Sequence, residues 1–217
     1  MQYSLIATAL VLASSGVQAY TLDFGNGPEI PSICTTAENG SGATQACANK
    51  LFISGSYGDV AGVVDVSYSS PNFEAPATLR WWQSNYNDLF GVLYSGSGPA
   101  RIELKPAVAG TLITLNSFDM GAWFNRTGQT TVNVATSDGV ILGSYSGPIG
   151  MGSTNHYTWD KPVSSTTGLR IEFMDEAHFV GIDNINFSVG AVPEPSTYGL
   201  MLAGLMGIGI VARHRRR

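Results

Sequence analysis

Carboxylates, amides and aromatic rings are the groups in this chain whose types and spacing suit chemistry. Glu172, Asp175 and Glu176 cluster at the end of an alternating apolar run. Glycoside hydrolysis needs two carboxylates facing across a cleft, but a solvated loop after a strand gives the same pattern. His156 and His178 are the histidines ahead of the C-terminal tail, and no serine-hydrolase elbow, zincin helix motif or phosphate loop occurs. No catalytic residue is assigned, and the chain is expected not to be an enzyme. Asp23, Asp183 and Asn184 offer hard oxygen donors of the kind calcium takes. They meet only if the first and last strands are neighbours, and a structural calcium is the one cofactor this pattern suggests. Asp183 capping irregular backbone through N–H groups accounts for the same residue without a metal.

The aromatic residues suggest a binding surface. Trp81 and Trp82 are adjacent on a predicted strand, so they point to opposite faces. One belongs to the core and the other is exposed or meets a loop. Trp82, Tyr86, Asn87 and Trp123 are the candidate sugar-binding set: rings stack on sugar C–H faces, and amides pair with hydroxyls. Ordinary core packing competes with this reading, because Trp is highly buried on average. Cys34 and Cys47 are an isolated pair. In an oxidising compartment such a pair is expected to be a disulfide. A metal or catalytic thiol is the alternative, although neither a Cys-x-x-Cys spacing nor a nearby His accompanies it.

The elements that must position these groups read as strands. The expected segments are Thr21–Phe24, Leu51–Ser54, Val60–Tyr68, Thr78–Gln83, Phe90–Tyr94, Arg101–Lys105, Thr111–Phe118, Thr130–Thr136, Val140–Tyr145, Leu169–Met174 and Val180–Val189. Ile102 and Leu104 alternate with Arg101, Glu103 and Lys105, and Leu169, Ile171 and Phe173 alternate with Arg170, Glu172 and Met174. One face buried and one solvated is the antiparallel pattern. Ser137-Asp138-Gly139 marks a hairpin. In the last segment Val180 and Ile182 share one parity, whereas Ile185, Phe187 and Val189 share the other. A register slip at Asp183-Asn184 follows, as a β-bulge would produce. The fold class is all-β, a two-sheet antiparallel sandwich of jelly-roll type, flanked by an N-terminal signal helix and a C-terminal membrane helix. The final strand, Phe179–Val189 with its Asp-Asn step, also resembles the last strand of galactose-binding-like jelly rolls. That resemblance covers about ten residues and implies that the first and last strands pair.

Composition bounds the partners. The 217 residues carry 11 Lys and Arg against 16 Asp and Glu, with only 12% charged and 26 Gly. An acidic chain of this kind is not expected to bind nucleic acid, whose phosphates need clustered positive charge. It is too apolar for acidic disorder. Residues 1–19 read as a signal peptide: an apolar run, Leu5–Ala13, precedes Val17-Gln18-Ala19, where small residues suit cleavage before Tyr20. Met1–Ser4 holds no Lys or Arg, and a buried N-terminal helix is the alternative. Residues 20–191 form the β-sandwich domain, with seven Lys and Arg against 15 Asp and Glu, a net charge near −8. That exterior suits cations or neutral glycans better than acidic polymers.

Residues 192–217 contain Pro193-Glu194-Pro195, the uncharged run Tyr198–Ala212, then Arg213, Arg215, Arg216 and Arg217. The 15-residue run would span about 22 Å as a helix, short of the ~20 residues of a full crossing without its flanks. The arginines stay cytoplasmic by the positive-inside rule. Pro-Glu-Pro, apolar segment and arginine cluster together resemble the PEP-CTERM sorting signal of Gram-negative bacteria. The resemblance implies an exosortase-type sorting enzyme as partner, an inner-membrane intermediate held by the C-terminal helix, and delivery to the cell surface or extracellular matrix. Such proteins often accompany exopolysaccharide and biofilm systems. The expected role is an exported, surface-sorted, non-enzymatic protein that binds polysaccharide. The alternatives are a secreted polysaccharide-acting enzyme and a purely structural surface protein.

Overall fold

The computed structural model describes residues 16–25, 31–70, 77–124, 126–150, 155–175, 177–191 and 204. Residues 1–15 of the signal segment, Glu176, and the sorting residues Pro193, Glu194, Pro195, Arg213, Arg215, Arg216 and Arg217 lie outside the described residues. So does all of the expected membrane helix except Gly204. Among the described residues, no helix is long and apolar enough to cross a membrane.

Among the described residues, fourteen strands follow one another: β1 Gln18–Leu22, β2 Cys34–Thr35, β3 Phe52–Ile53, β4 Val64–Ser69, β5 Arg80–Trp82, β6 Val92–Tyr94 and β7 Ala100–Pro106; then β8 Thr111–Ala122, β9 Gly128–Thr136, β10 Ile141–Ile149, β11 Tyr157–Trp159, β12 Val163–Ser165, β13 Leu169–Asp175 and β14 Val180–Ala191. They form two antiparallel sheets. One runs β11-β8-β14-β6-β5-β3-β2, with β1 added on β14 and β12 on β8, and the other runs β10-β9-β13-β7-β4. The inward-facing residues of both sheets meet in one core. Ile102 and Leu104 of β7, Val132 and Val134 of β9, and Ile171 and Phe173 of β13 face Ile113, Leu115 and Phe118 of β8 and Ile182, Ile185 and Phe187 of β14. The result is a jelly-roll-like sandwich, built because period-two strands can bury one face only against another sheet.

The slip in the last strand decides the geometry of one sheet. β14 lies beside β8 along its length, and the register shifts between Asp183 and Asn186. On its other edge, Ile182 pairs with Leu93 of β6, whereas Ile185–Val189 pair with Leu22–Gln18 of β1. The bulge therefore sits where one neighbour hands over to the other. Asn184 takes φ 51° there, a left-handed conformation that Asn tolerates better than most residues. The first and last strands are neighbours, as the fold resemblance implies.

Several strands differ from the sequence reading: β3 and β5 are shorter than Leu51–Ser54 and Thr78–Gln83, and β8 and β10 run on to Ala122 and Ile149. The first strand runs Gln18–Leu22, not Thr21–Phe24, because β6 takes over beyond the bulge. Gln18 and Ala19 belong to this ladder, so cleavage before Tyr20 would leave Tyr20–Leu22 to hold it. Val60 does not begin β4: its N–H donates to the Val64 carbonyl in a local turn with Gly62 at φ 73°. The two-residue β2 and the short β11 and β12 carry too few alternating positions to show a period. Cys34 and Cys47 are bridged, with Cα atoms 5.0 Å apart.

Candidate functional site

The outer face of the larger sheet carries the aromatic site. Along β5, Trp81 is fully buried (0% exposed) and its indole Nε1 donates to the Phe24 carbonyl at 2.6 Å. Trp82 takes the opposite face, as strand alternation requires. β6 is paired so that Arg80 opposes Tyr94 and Trp82 opposes Val92. Those four residues share the outer face.

A loop folds back over this face. Tyr86, Leu89, Val92 and Tyr94 form a second apolar cluster, separate from the sandwich core, against which Trp82 and Trp123 pack. The loop can lie this close because Gly121 and Gly181 pair across β8 and β14 beneath it. A Cβ on Gly121 would fall 2.3 Å from the Tyr86 carbonyl oxygen, and one on Gly181 would fall 2.5 Å from Val92 Cγ2. Asn87 pins the loop. Its Oδ1 accepts from the Ala122 N–H at 2.7 Å, and its Nδ2 donates to the Arg126 carbonyl.

The outcome is a cleft of about 270 Å³ lined by Lys50, Trp82, Tyr86, Tyr94, Trp123, His178 and Phe179. It falls just under the ~300–1,000 Å³ usual for small-molecule sites. The Trp82 ring stands edge-on to Tyr94 (6.1 Å) and to Trp123 (6.0 Å), and Phe179 stacks on Trp123 at 6.0 Å. His178 accepts its own constraint: Nδ1 lies 2.9 Å from the Gly96 carbonyl, which fixes Nδ1 as the donor. Burial pushes the Tyr86 and Tyr94 phenols above their ordinary pKa, although Arg80 partly offsets the rise at Tyr94. Both therefore stay neutral hydroxyls at physiological pH. Trp123 Nε1 is buried without a hydrogen-bond partner among the described residues, and Phe124 beside it is 70% exposed.

Trp82, Tyr86 and Trp123 of the candidate sugar-binding set thus line one cleft. Asn87 does not line it; the amide is buried and spent on anchoring the loop. Sequence reasoning missed Lys50, Tyr94, His178 and Phe179. Tyr94 was legible in principle, since it shares parity with Val92 on a strand whose Leu93 faces the core. The other three come from turns that carry no period.

The candidate calcium residues occupy a second region on the far side of the same loop. Asp183 is 3% exposed and its Oδ1 accepts from the Phe24 N–H at 2.9 Å. Asp23 is near enough to raise the Asp183 pKa, and its own Oδ1 accepts from Gly25 N–H. Asn184 Nδ2 donates to Asp119 Oδ2 at 2.9 Å. Desolvation is the main cause pushing Asp183 up to about 7, against the lowering by the Phe24 and Asn184 backbone donors; Asp23 and Asp119 add to the rise. Among the described residues, no group of three or more His, Cys, Asp or Glu side chains could hold a metal ion. A cavity of about 120 Å³ is lined by Asp88, Leu89, Phe90, Asp183 and Asn184. Asp88 Oδ1 lies 2.8 Å from His156 Nδ1, whose Nε2 is 3.4 Å from Asp119 Oδ1. Of the other carboxylates, Glu172 pairs with Arg101 at 2.7 Å and Arg170 at 3.2 Å on the smaller sheet.

Residues 191–217 match the PEP-CTERM protein-sorting motif. The motif marks an exported protein sorted to the cell envelope, and it is a substrate signal for exosortase-type processing. No curated protein matches the chain. Solved structures similar to it include an arabinose-bound GH51 α-L-arabinofuranosidase, at 14% identity and TM-score 0.33, covering 79% of this chain and 31% of that one. A GH26-CBM35 β-(1,4)-mannanase of Podospora anserina shows 15% identity and TM-score 0.34, covering 62% and 29%. An isomalto-dextranase of Arthrobacter globiformis complexed with panose shows 14% and 0.30, covering 81% and 33%. The chain spans about a third of the length of these proteins. Similarity at this level bears on neither activity nor ligand.

Proposed function

We propose that this PEP-CTERM protein is a non-enzymatic, carbohydrate-binding component of the cell envelope or exopolysaccharide matrix of a Gram-negative bacterium. The observation that carries the reading is the second aromatic cluster. A sandwich needs its inner faces apolar, but nothing in core formation requires Trp82, Tyr86, Tyr94, Trp123 and Phe179 to build a cleft on an outer face. Trp82 and Trp123 are half-buried there, which leaves ring surface for a sugar. Neutral Tyr hydroxyls in its lining are donors and acceptors that a hydroxylated ligand can meet. An enzymatic reading would use Asp88 and Asp183 across the smaller cavity. Both carboxylates already hold partners, His156 and the Phe24 N–H, which favours binding over catalysis.

A glycan array probed with the purified exported protein tests this. Binding is expected to at least one polysaccharide, and Trp82→Ala is expected to weaken it by about tenfold or more, the loss of one stacked ring. An array without binders, or an unaffected Trp82→Ala, would refute the assignment. A structural calcium at Asp23, Asp183 and Asn184 is a separate part of the proposal. It predicts a lower melting temperature in chelator.

A further inference from the structure

The cleft carries the wrong charge for its protein. The sandwich domain is strongly acidic, with seven Lys and Arg against 15 Asp and Glu, yet three of those seven cations border this one site. Lys50 lines the cleft. The Arg126 guanidinium carbon lies 4.6 Å from the centre of the Phe179 ring, which is itself a wall of the cleft. Arg80 opposes Tyr94 in the β5–β6 ladder, close enough to lower the phenol pKa, and its guanidinium covers the Phe52 ring at 4.7 Å.

Among the described residues these cations are held without counter-ions: no carboxylate pairs with Lys50, Arg80 or Arg126, whereas Arg101 and Arg170 on the other sheet share Glu172. The Arg80 Nε is also buried with no hydrogen-bond partner among the described residues. Aromatic faces hold two of the guanidinium groups in place through their negative quadrupoles, and that contact leaves the N–H donors unspent. The Lys50 backbone N–H donates to the Trp81 carbonyl. Position 50 thus sits beside Trp82, in a left-handed conformation at φ 75°.

Unspent cations next to stacking rings form a two-part recognition surface. The rings take the apolar face of a sugar, and the cations take a carboxylate attached to it. We propose that the cleft selects polysaccharides built from carboxylated sugars, the uronic acids, over neutral ones. The proposal rests on the carbohydrate-binding reading above. It also reverses the preference for neutral glycans that net charge alone suggests, since a local cluster of like charge sets the potential in a cleft more than the distant sum does.

The test measures binding of the purified exported protein to oligogalacturonate and to dextran oligomers of equal length, without added divalent cation. Oligogalacturonate is expected to bind at least about tenfold more tightly, an advantage that shrinks as salt rises. Lys50→Asn removes the charge with a residue that tolerates the left-handed backbone. It is expected to weaken oligogalacturonate about fivefold more than it weakens dextran, the scale of one charge-assisted contact at a partly exposed site. Trp82→Ala should weaken both. Dextran bound as tightly as oligogalacturonate would overturn the charge selection while the carbohydrate reading stands. Binding of neither, on an array also without binders, would overturn both. Acetate competing as well as the oligomer would also overturn it, because the anion alone would then suffice.

Discussion

Replacing Asp183 with Asn should make the domain more stable at neutral pH and abolish one segment of its pH dependence. The carboxyl is buried at the handover between β6 and β1, and burial lifts it from an ordinary 3.8 to about 7. Below about pH 3 the group is protonated in both the folded and unfolded chain and contributes almost no slope. Between about pH 4 and pH 7 the folded state keeps the proton that the unfolded state releases. Stability therefore falls through that window and levels off above it. A rise of about three pKa units at ~1.4 kcal/mol each makes the total loss roughly 4 kcal/mol. An Asn at this position keeps an oxygen for the Phe24 N–H and has no proton to lose. Urea unfolding of both proteins at pH 4, 5.5, 7 and 8 isolates the effect as a difference. Asp138, an exposed carboxyl held below its ordinary pKa by Thr136, its own backbone and Thr167, slopes the other way but is common to both and cancels. Calcium adds a second arm. If the ion binds here, wild type regains stability at pH 8 by about 2.7 kcal/mol at ~100-fold excess over Kd, and Asp183→Asn does not. A wild-type-to-variant difference that is equal at pH 4 and pH 8 would refute the reasoning.

Other expectations can be checked on the same protein. Cys34→Ser with Cys47→Ser should cost about 3 kcal/mol in chemical unfolding, the closure entropy of a loop of roughly 14 residues, and thiol labelling of the native wild type should find neither cysteine free. Trp81→Ala should cost about 3–5 kcal/mol, because it opens a core cavity and orphans the Phe24 carbonyl, whereas Trp82→Ala should cost far less. Substituting Pro193-Glu194-Pro195 should leave the protein in the inner-membrane fraction; an unchanged surface signal would count against the sorting role.

The sandwich was legible because alternation is a property of neighbouring residues. Ile102 and Leu104, or Ile171 and Phe173, announce their buried face without reference to any other strand. The bulge was legible for the same reason, as a change of parity within Val180–Val189. What the slip does was not legible. That β6 and β1 meet at Asp183 depends on which strands lie beside β14, a fact of topology and not of local pattern. The cleft shows the same division. Trp82 is assigned outward by alternation with Trp81. Lys50, His178 and Phe179 reach it from turns separated by more than a hundred residues, where charge and ring type carry no directional signal. Asn87 misled because an amide beside an aromatic residue looks alike whether it meets a ligand or a backbone N–H.

Backbone strain gives an independent reason to place function at the cleft. Among the described residues, five other than glycine adopt positive φ: Lys50, Asn85, Asn87, Phe124 and Asn184. The three asparagines tolerate this conformation, and two of them shape the loop that carries Tyr86. Lys50 and Phe124 do not tolerate it so readily, and each such residue costs on the order of 1–3 kcal/mol. Both flank the cleft: Lys50 lines it, and Phe124 contacts Trp123 at a ring separation of 5.6 Å. Neither side chain is buried, so core packing does not compensate the strain. A conformation that costs stability and stays exposed is one that the fold alone would not select. Holding a cation and a ring at the edge of an aromatic cleft is a use that would.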